Sequence, residues 1–186
     1  MAKRIPGLLL VLLAALCLSI LGGTEGSQAK GTEGTAGPVP AQSGIGPDGA
    51  LRPTAGDRCP VCGMYPARHP KFAAALVLED GRTFYACSNR CLLQCWRHSQ
   101  THLGVPSGAI KRLLALDYFS GAVLDAERAF WVAGSDVVGP MGPALVALQT
   151  RRDVDTFIKR HGGSLVFQLH QVDESLWKKI VMKPHK

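Results

Sequence analysis

The sequence predicts an α+β fold: two similar ββαβ units packed in tandem, the first carrying a cysteine-rich knuckle. Three observations predict it. Between Arg58 and Asp173 the order apolar strand, turn, strand, amphipathic helix, strand runs twice. Each amphipathic stretch follows a residue able to cap a helix, Ser88 in the first unit and Thr150 in the second. Cys59, Cys62, Cys87, Cys91 and Cys95 all fall in the first unit and none in the second, so what repeats is shape rather than chemistry.

The chain opens on an export signal. Lys3 and Arg4 precede Gly7 to Gly23, an apolar run shorter than the ~20 residues a spanning helix needs, so residues 1–26 read as a signal peptide or N-terminal membrane anchor. Gly26 and Ala29 suit a cleavage site. Leu13-Ala14-Ala15-Leu16-Cys17 resembles a lipidation motif, but Leu16 stands where a small residue belongs, and Cys17 reads as one more apolar residue of the run. The remainder is expected in an oxidising compartment, the periplasm of a bacterium. Residues 27–57 are rich in Gly, Pro, Ser and Thr without an aliphatic pattern, which predicts a disordered tether.

The first unit spans residues 58–122. Phe72 to Leu78 and Thr83 to Ala86 flank the turn Glu79-Asp80-Gly81-Arg82 and predict a hairpin. Ser88 starts a helix whose Cys91, Leu92, Cys95 and Trp96 share a face, and Lys111 to Phe119 reads as the third strand. In the second unit, residues 123–173, Ala129 to Ala133 and Ala144 to Gln149 are strands joined by Gly134 to Pro143. Thr150 and Asp153 form a capping-box start, with Val154, Phe157 and Ile158 on one side. His161-Gly162-Gly163 ends that helix, and Ser164 to Leu169 is the last strand. The tail, residues 174–186, is basic and offers Leu176, Trp177, Ile180 and Val181 for docking.

Composition narrows the function. With 46% hydrophobic and 19% charged residues among 186, the chain can build a core, and collagen-like, coiled-coil and multipass membrane classes are excluded. The net charge of +7 is scattered in doublets such as Lys111-Arg112 and Lys159-Arg160, with no basic block interleaved with aromatics, which speaks against a nucleic-acid partner.

The chemistry lies at Cys59-Pro-Val-Cys62-Gly63-Met64. Two thiols two residues apart, with a glycine letting the chain fold back, form a knuckle whose sulfurs converge on one ion. Cys87 and Cys91 add two sulfurs at a strand-to-helix turn, where the helix N-terminus is expected to favour the thiolate. Five cysteines beyond the leader are an odd number, which favours metal ligation over a disulfide framework. The metal-ligand set is therefore Cys59, Cys62, Met64, Cys87 and Cys91. Four thiolates suit zinc, but the Met64 thioether belongs to the soft donor set that selects Cu(I). His69 is a weaker possible donor, and Met141 gains interest only if the two units face each other.

The knuckle, Trp131-Val-Ala-Gly-Ser-Asp136, Gly139-Pro-Met-Gly142 and Phe157-Ile-Lys-Arg-His-Gly-Gly163 together resemble the NosL family over about Arg58 to Leu169. The resemblance implies two ββαβ units and a periplasmic, membrane-tethered protein that turns over no substrate of its own. It implies binding of Cu(I) through Cys62 and Met64, beside Cys59. The implied recipient is apo nitrous oxide reductase, or another periplasmic copper protein, whose copper–sulfide centre is being assembled. The chain departs from the family pattern in its poor lipobox and in the extra sulfurs Cys87, Cys91 and Cys95. A structural zinc module of treble-clef type is the alternative. A thiol–disulfide oxidoreductase using Cys59 and Cys62 is disfavoured, because Gly63, Pro66 and Pro70 leave no following helix to lower the first thiol's pKa.

Overall fold

A computed structural model describes residues 37–182. The expected signal segment, Cys17, the beginning of the tether and the last four residues of the tail fall outside the described residues. Both predicted ββαβ runs are present. The first sheet contains β1 (Ala74–Leu78), β2 (Thr83–Ala86), β3 (Ile110–Leu116) and β4 (Val123–Asp125), in the order β2-β1-β3-β4 and antiparallel throughout. Between β2 and β3 come α1 (Asn89–Arg97) and α2 (Ser99–Leu103). The second sheet holds β5 (Phe130–Ala133), β8 (Val146–Leu148) and β9 (Leu165–Phe167) in the order β8-β5-β9, with α3 (Arg151–His161) between the last two in sequence. In both units the first strand is the central one, its hairpin partner lies on one side and the strand after the helix on the other.

Alternation along the strands assigns each face a cover. Ala74, Leu76, Phe84, Ala86 and Leu113 point into the main core beneath α1, and Ala75, Tyr85 and Leu114 point to the opposite side. In the second sheet Val132, Val146 and Leu148 pack with Val154 and Phe157 of α3, whereas Trp131, Ala133 and Phe167 face the main core. The two units therefore share one core. Trp131 is fully buried within it, donates its indole N–H to Ala126 O at 3.0 Å and stacks on Phe167.

Asp117 fastens the sheets together. Its buried carboxylate ends β3: Oδ2 accepts from Phe119 N, Ser120 N and Ser120 Oγ, and Oδ1 accepts from Gln149 N just past β8. Tyr118 N–H donates to Ala147 O at 3.0 Å alongside.

Several expectations are corrected. The run Lys111 to Phe119 stops as a strand at Leu116, because Asp117 folds the chain into a tight turn that returns it as β4. β4 pairs with β3, so residues 123–125 belong to the first sheet and the second unit starts at β5 rather than at residue 123. The joining segment Gly134 to Pro143 carries a small hairpin, β6 (Val138–Gly139) with β7 (Gly142–Pro143). The expectation of a tether reaching to residue 57 also fails in its second half. Ala41, Ile45 and Leu51 cover Ala75, Tyr85 and Leu114. The Tyr85 hydroxyl donates to Gly44 O and accepts from Arg52 N, while Ala41 N–H donates to Thr83 O on the edge strand. Three apolar residues and a few well-placed polar groups suffice to order this strap, although its composition shows no period.

The tail docks through the residues expected. It forms α4 (Glu174–Met182), buries Trp177 and Ile180 in the main core and pairs Glu174 with Arg97 of α1 at 2.8 Å. Among the described residues no helix is long and apolar enough to cross a membrane. The predicted capping box on α3 is present, with Thr150 Oγ1 accepting from Asp153 N and Asp153 Oδ2 from Thr150 N, each at 3.2 Å. Thr150→Ala is expected to lower stability by about 1 kcal/mol in urea unfolding, the usual value of an N-cap.

Candidate metal centre

The knuckle closes on itself before any ion is considered. Gly63 N–H donates to Cys59 O at 2.9 Å and Cys59 N–H donates to Met64 O at 2.8 Å. Gly63 sits at φ 71°, in the left-handed region that a side chain would strain. Arg58 braces the turn from outside, reaching Gly63 O at 3.0 Å and stacking its guanidinium on Tyr65, which Arg68 also covers. On the facing wall, Cys87 follows β2 and Cys91 lies in the first turn of α1, its N–H capped by Ser88 Oγ at 3.3 Å.

These two walls bring four sulfurs together. The Sγ atoms of Cys59, Cys62, Cys87 and Cys91 all lie within 4.8 Å of one another. Cys62 and Cys87 are 3.4 Å apart, Cys87 and Cys91 3.8 Å, and Cys62 and Cys91 3.9 Å. Those spacings are far beyond the ~2.05 Å of a disulfide. They match the ~3.8 Å edge of a tetrahedron with sulfurs ~2.3 Å from a central ion. Cys59, Cys87 and Cys91 are buried, and Cys62 is half-buried, so the centre opens on one side only.

Hydrogen bonds within the cluster decide which sulfur carries charge. Bonding from the Cys87 and Cys91 thiols holds Cys59 far below the ordinary thiol value, at about 2. The same sharing with Cys59 pushes Cys87 and Cys91 up. The expectation that the helix N-terminus favours thiolates at Cys87 and Cys91 is not met: both thiols are pushed up beside Cys59, and a second charge at such distance is unfavourable until a cation enters. Loading an ion must displace those protons, so affinity is expected to fall as pH falls, by up to ~10-fold per pH unit for each proton displaced. Competition titrations at several pH values, with proton release followed in weak buffer, check this.

The other sequence-predicted donors separate. Met64 is half-buried, closes the knuckle through its carbonyl and packs against the main core beside Cys62. Cys95, one turn beyond Cys91, is buried and stays outside the four-sulfur set, its thiol pushed up chiefly by burial. His69 also stays outside it. The fifth thiol thus explains the odd count.

A two-unit α+β fold with a buried, one-sided cluster of four thiols defines a soft-metal-binding protein. The model of the NosL family matches residues 50–177, and the chain belongs to that family. It is 25% identical over 132 residues to the copper-binding lipoprotein NosL of Stutzerimonas stutzeri, covering 69% of this chain and 68% of that one. The crystal structure of the copper chaperone NosL from Shewanella denitrificans shares its fold, with a TM-score of 0.58 and 20% identity over 70% of this chain and 99% of that one.

Proposed function

We propose that the protein is an exported, membrane-tethered Cu(I) carrier of the periplasm. It delivers copper for maturation of the copper–sulfide site of nitrous oxide reductase or a related copper protein, and turns over no substrate of its own. The observation that carries the reading is the convergence of four sulfurs with one of them, Cys62, accessible from outside. The relatives' copper-binding and chaperone roles support it.

Cu(I) is satisfied by two or three soft ligands, so a four-sulfur pocket with the neighbouring Met64 offers more donors than the ion uses at once. A recipient ligand can enter at Cys62, take a place in the coordination, and draw the ion out as the buried thiolates let go in turn. Proton return to Cys87 and Cys91 would accompany that release. An N-terminal tether would raise the carrier's effective concentration at a membrane-side recipient.

An anaerobic Cu(I) competition titration against a chromogenic chelator, on the reduced protein with excess zinc, tests the reading. One tightly bound equivalent that zinc fails to displace is expected. Met64→Leu is expected to weaken Cu(I) binding with thermal stability unchanged, and unaltered affinity would exclude the thioether as a ligand. The burial of three sulfurs and the close approach of Cys62, Cys87 and Cys91 to one another favour a second reading, a structural zinc module. That reading requires zinc to win the competition and its removal to unfold the first unit.

A further inference from the structure

Apolar side chains exposed on a monomer are ordinary when scattered and informative when contiguous. Among the described residues the exposed large apolar side chains are Val39, Tyr118, Phe119, Val138 and Met141. All but Val39 belong to two segments, the Asp117 turn and the β6–β7 hairpin. Tyr118, Phe119 and Val137 line a cleft of about 570 Å³ whose floor includes Phe72. Met141 and Gly139 line an adjoining depression that shares Phe72 and runs to Ser88, Asn89 and Arg90. Gly139 packs closely on the Phe72 ring, 3.3 Å from where its Cβ would lie. The surface is therefore continuous from the cleft to the turn that carries Cys87 and Cys91.

The patch is tied to the elements beneath it. Asn89 Nδ2 donates to Leu145 O at 2.9 Å, latching the chain after β7 to the first turn of α1. Tyr118 packs edge-on against Phe157, and its hydroxyl meets His161 Nε2 at 3.2 Å. Preorganised aromatic and thioether groups of this kind have the composition of interface centres.

Charge selects the occupant. Lys71 lines the cleft, Arg160 lies over the Phe119 ring and Arg90 lines the depression. Among the described lining residues Asp117 is the one carboxylate, and both its oxygens are occupied by internal donors. Asp136 nearby is held by His161 Nδ1 at 2.9 Å.

The geometry points to this face as the docking surface for the protein that receives the metal, one presenting an apolar patch rimmed by carboxylates. The inference rests on the carrier reading and adds where the recipient sits. Docking here brings a partner against the Ser88–Arg90 turn, the segment between Cys87 and Cys91 in sequence. Opposite charge around the rim would speed encounter and set register.

The test uses the full chain and purified copper-free nitrous oxide reductase, with binding measured by biolayer interferometry at low and high salt. Phe119→Ser with Val138→Ser, and separately Lys71→Glu with Arg160→Glu, are the variants. Each pair is expected to weaken binding at least tenfold and to slow protein-to-protein copper transfer, with Cu(I) release to a small chelator unchanged. High salt is expected to weaken wild-type binding. Variants that bind a reductase as the wild type does overturn the proposal and leave the carrier reading standing, as does binding indifferent to salt. A wild type that loads Cu(I) yet ignores the reductase overturns both the docking proposal and that choice of recipient. Failure to bind Cu(I) in the titration above overturns the carrier reading itself. Self-association in sedimentation that the first pair abolishes assigns the face to a second copy of the chain and also overturns the proposal.

Discussion

Cys87→Ser is expected to lower affinity for a thiophilic ion by about a thousandfold or more. Cys87 is the sulfur nearest Cys62, at 3.4 Å, and also stands 3.8 Å from Cys91, so its loss opens the middle of the cluster. Losing a group that only supports a ligand costs ~10–100-fold, and losing a thiolate in the donor set costs more. Serine fills the space but offers a hard oxygen that stays protonated. Cys95→Ala supplies the contrast: its sulfur lies outside the set, so stoichiometry and affinity are expected to hold while stability drops modestly from the lost packing. Competition titrations on both variants, with far-UV circular dichroism to confirm folding, check the pair.

The largest stability effect is expected at Asp117, far from any sulfur chemistry. Asp117→Ala removes an acceptor that satisfies three backbone N–H groups and one hydroxyl. Hydrogen bonds to a charged group are worth ~1.5–3 kcal/mol each, and donors left unpaired cost ~1–3 kcal/mol, though solvent will reach some of them. A net loss of about 3–4 kcal/mol is the expected result in urea unfolding. Because the carboxylate joins the end of β3 to the segment after β8, the loss is expected to broaden the transition as the two sheets begin to unfold separately.

Much of this fold was legible because local signals agreed with the tertiary outcome. The Glu79–Arg82 turn between two apolar runs predicted the β1–β2 hairpin, and Thr150 with Asp153 predicted the start of α3. The four converging cysteines were legible from spacing alone, since a knuckle and a strand-to-helix turn each aim their sulfurs inward. What sequence could not supply was long-range. Asp117 reads as an ordinary polar residue inside an apolar run until Gln149, thirty-two positions on, is seen to donate to it. The strap over residues 41–57 has no period because it is neither helix nor strand; its order comes from Tyr85, whose role depends on which face β2 turns outward. The lowering of the Cys59 thiol, and the raising of those at the helix N-terminus, likewise depend on how close the knuckle brings Cys59 to Cys87 and Cys91.

The strap also sets how force travels through the molecule. The sulfur centre begins at Cys59, immediately after the strap ends, so a pull from the N-terminal direction would reach the knuckle directly if residues 41–57 hung free. Instead the load enters at Ala41, passes to the edge of the first sheet through Thr83, and is shared by the Tyr85 hydroxyl at Gly44 and Arg52. Asp57 takes a further part, its carboxylate accepting from Gln42 N and Thr54 N and closing the strap on itself. A pull on the chain ahead of the strap would therefore load these hydrogen bonds before it reached Cys59.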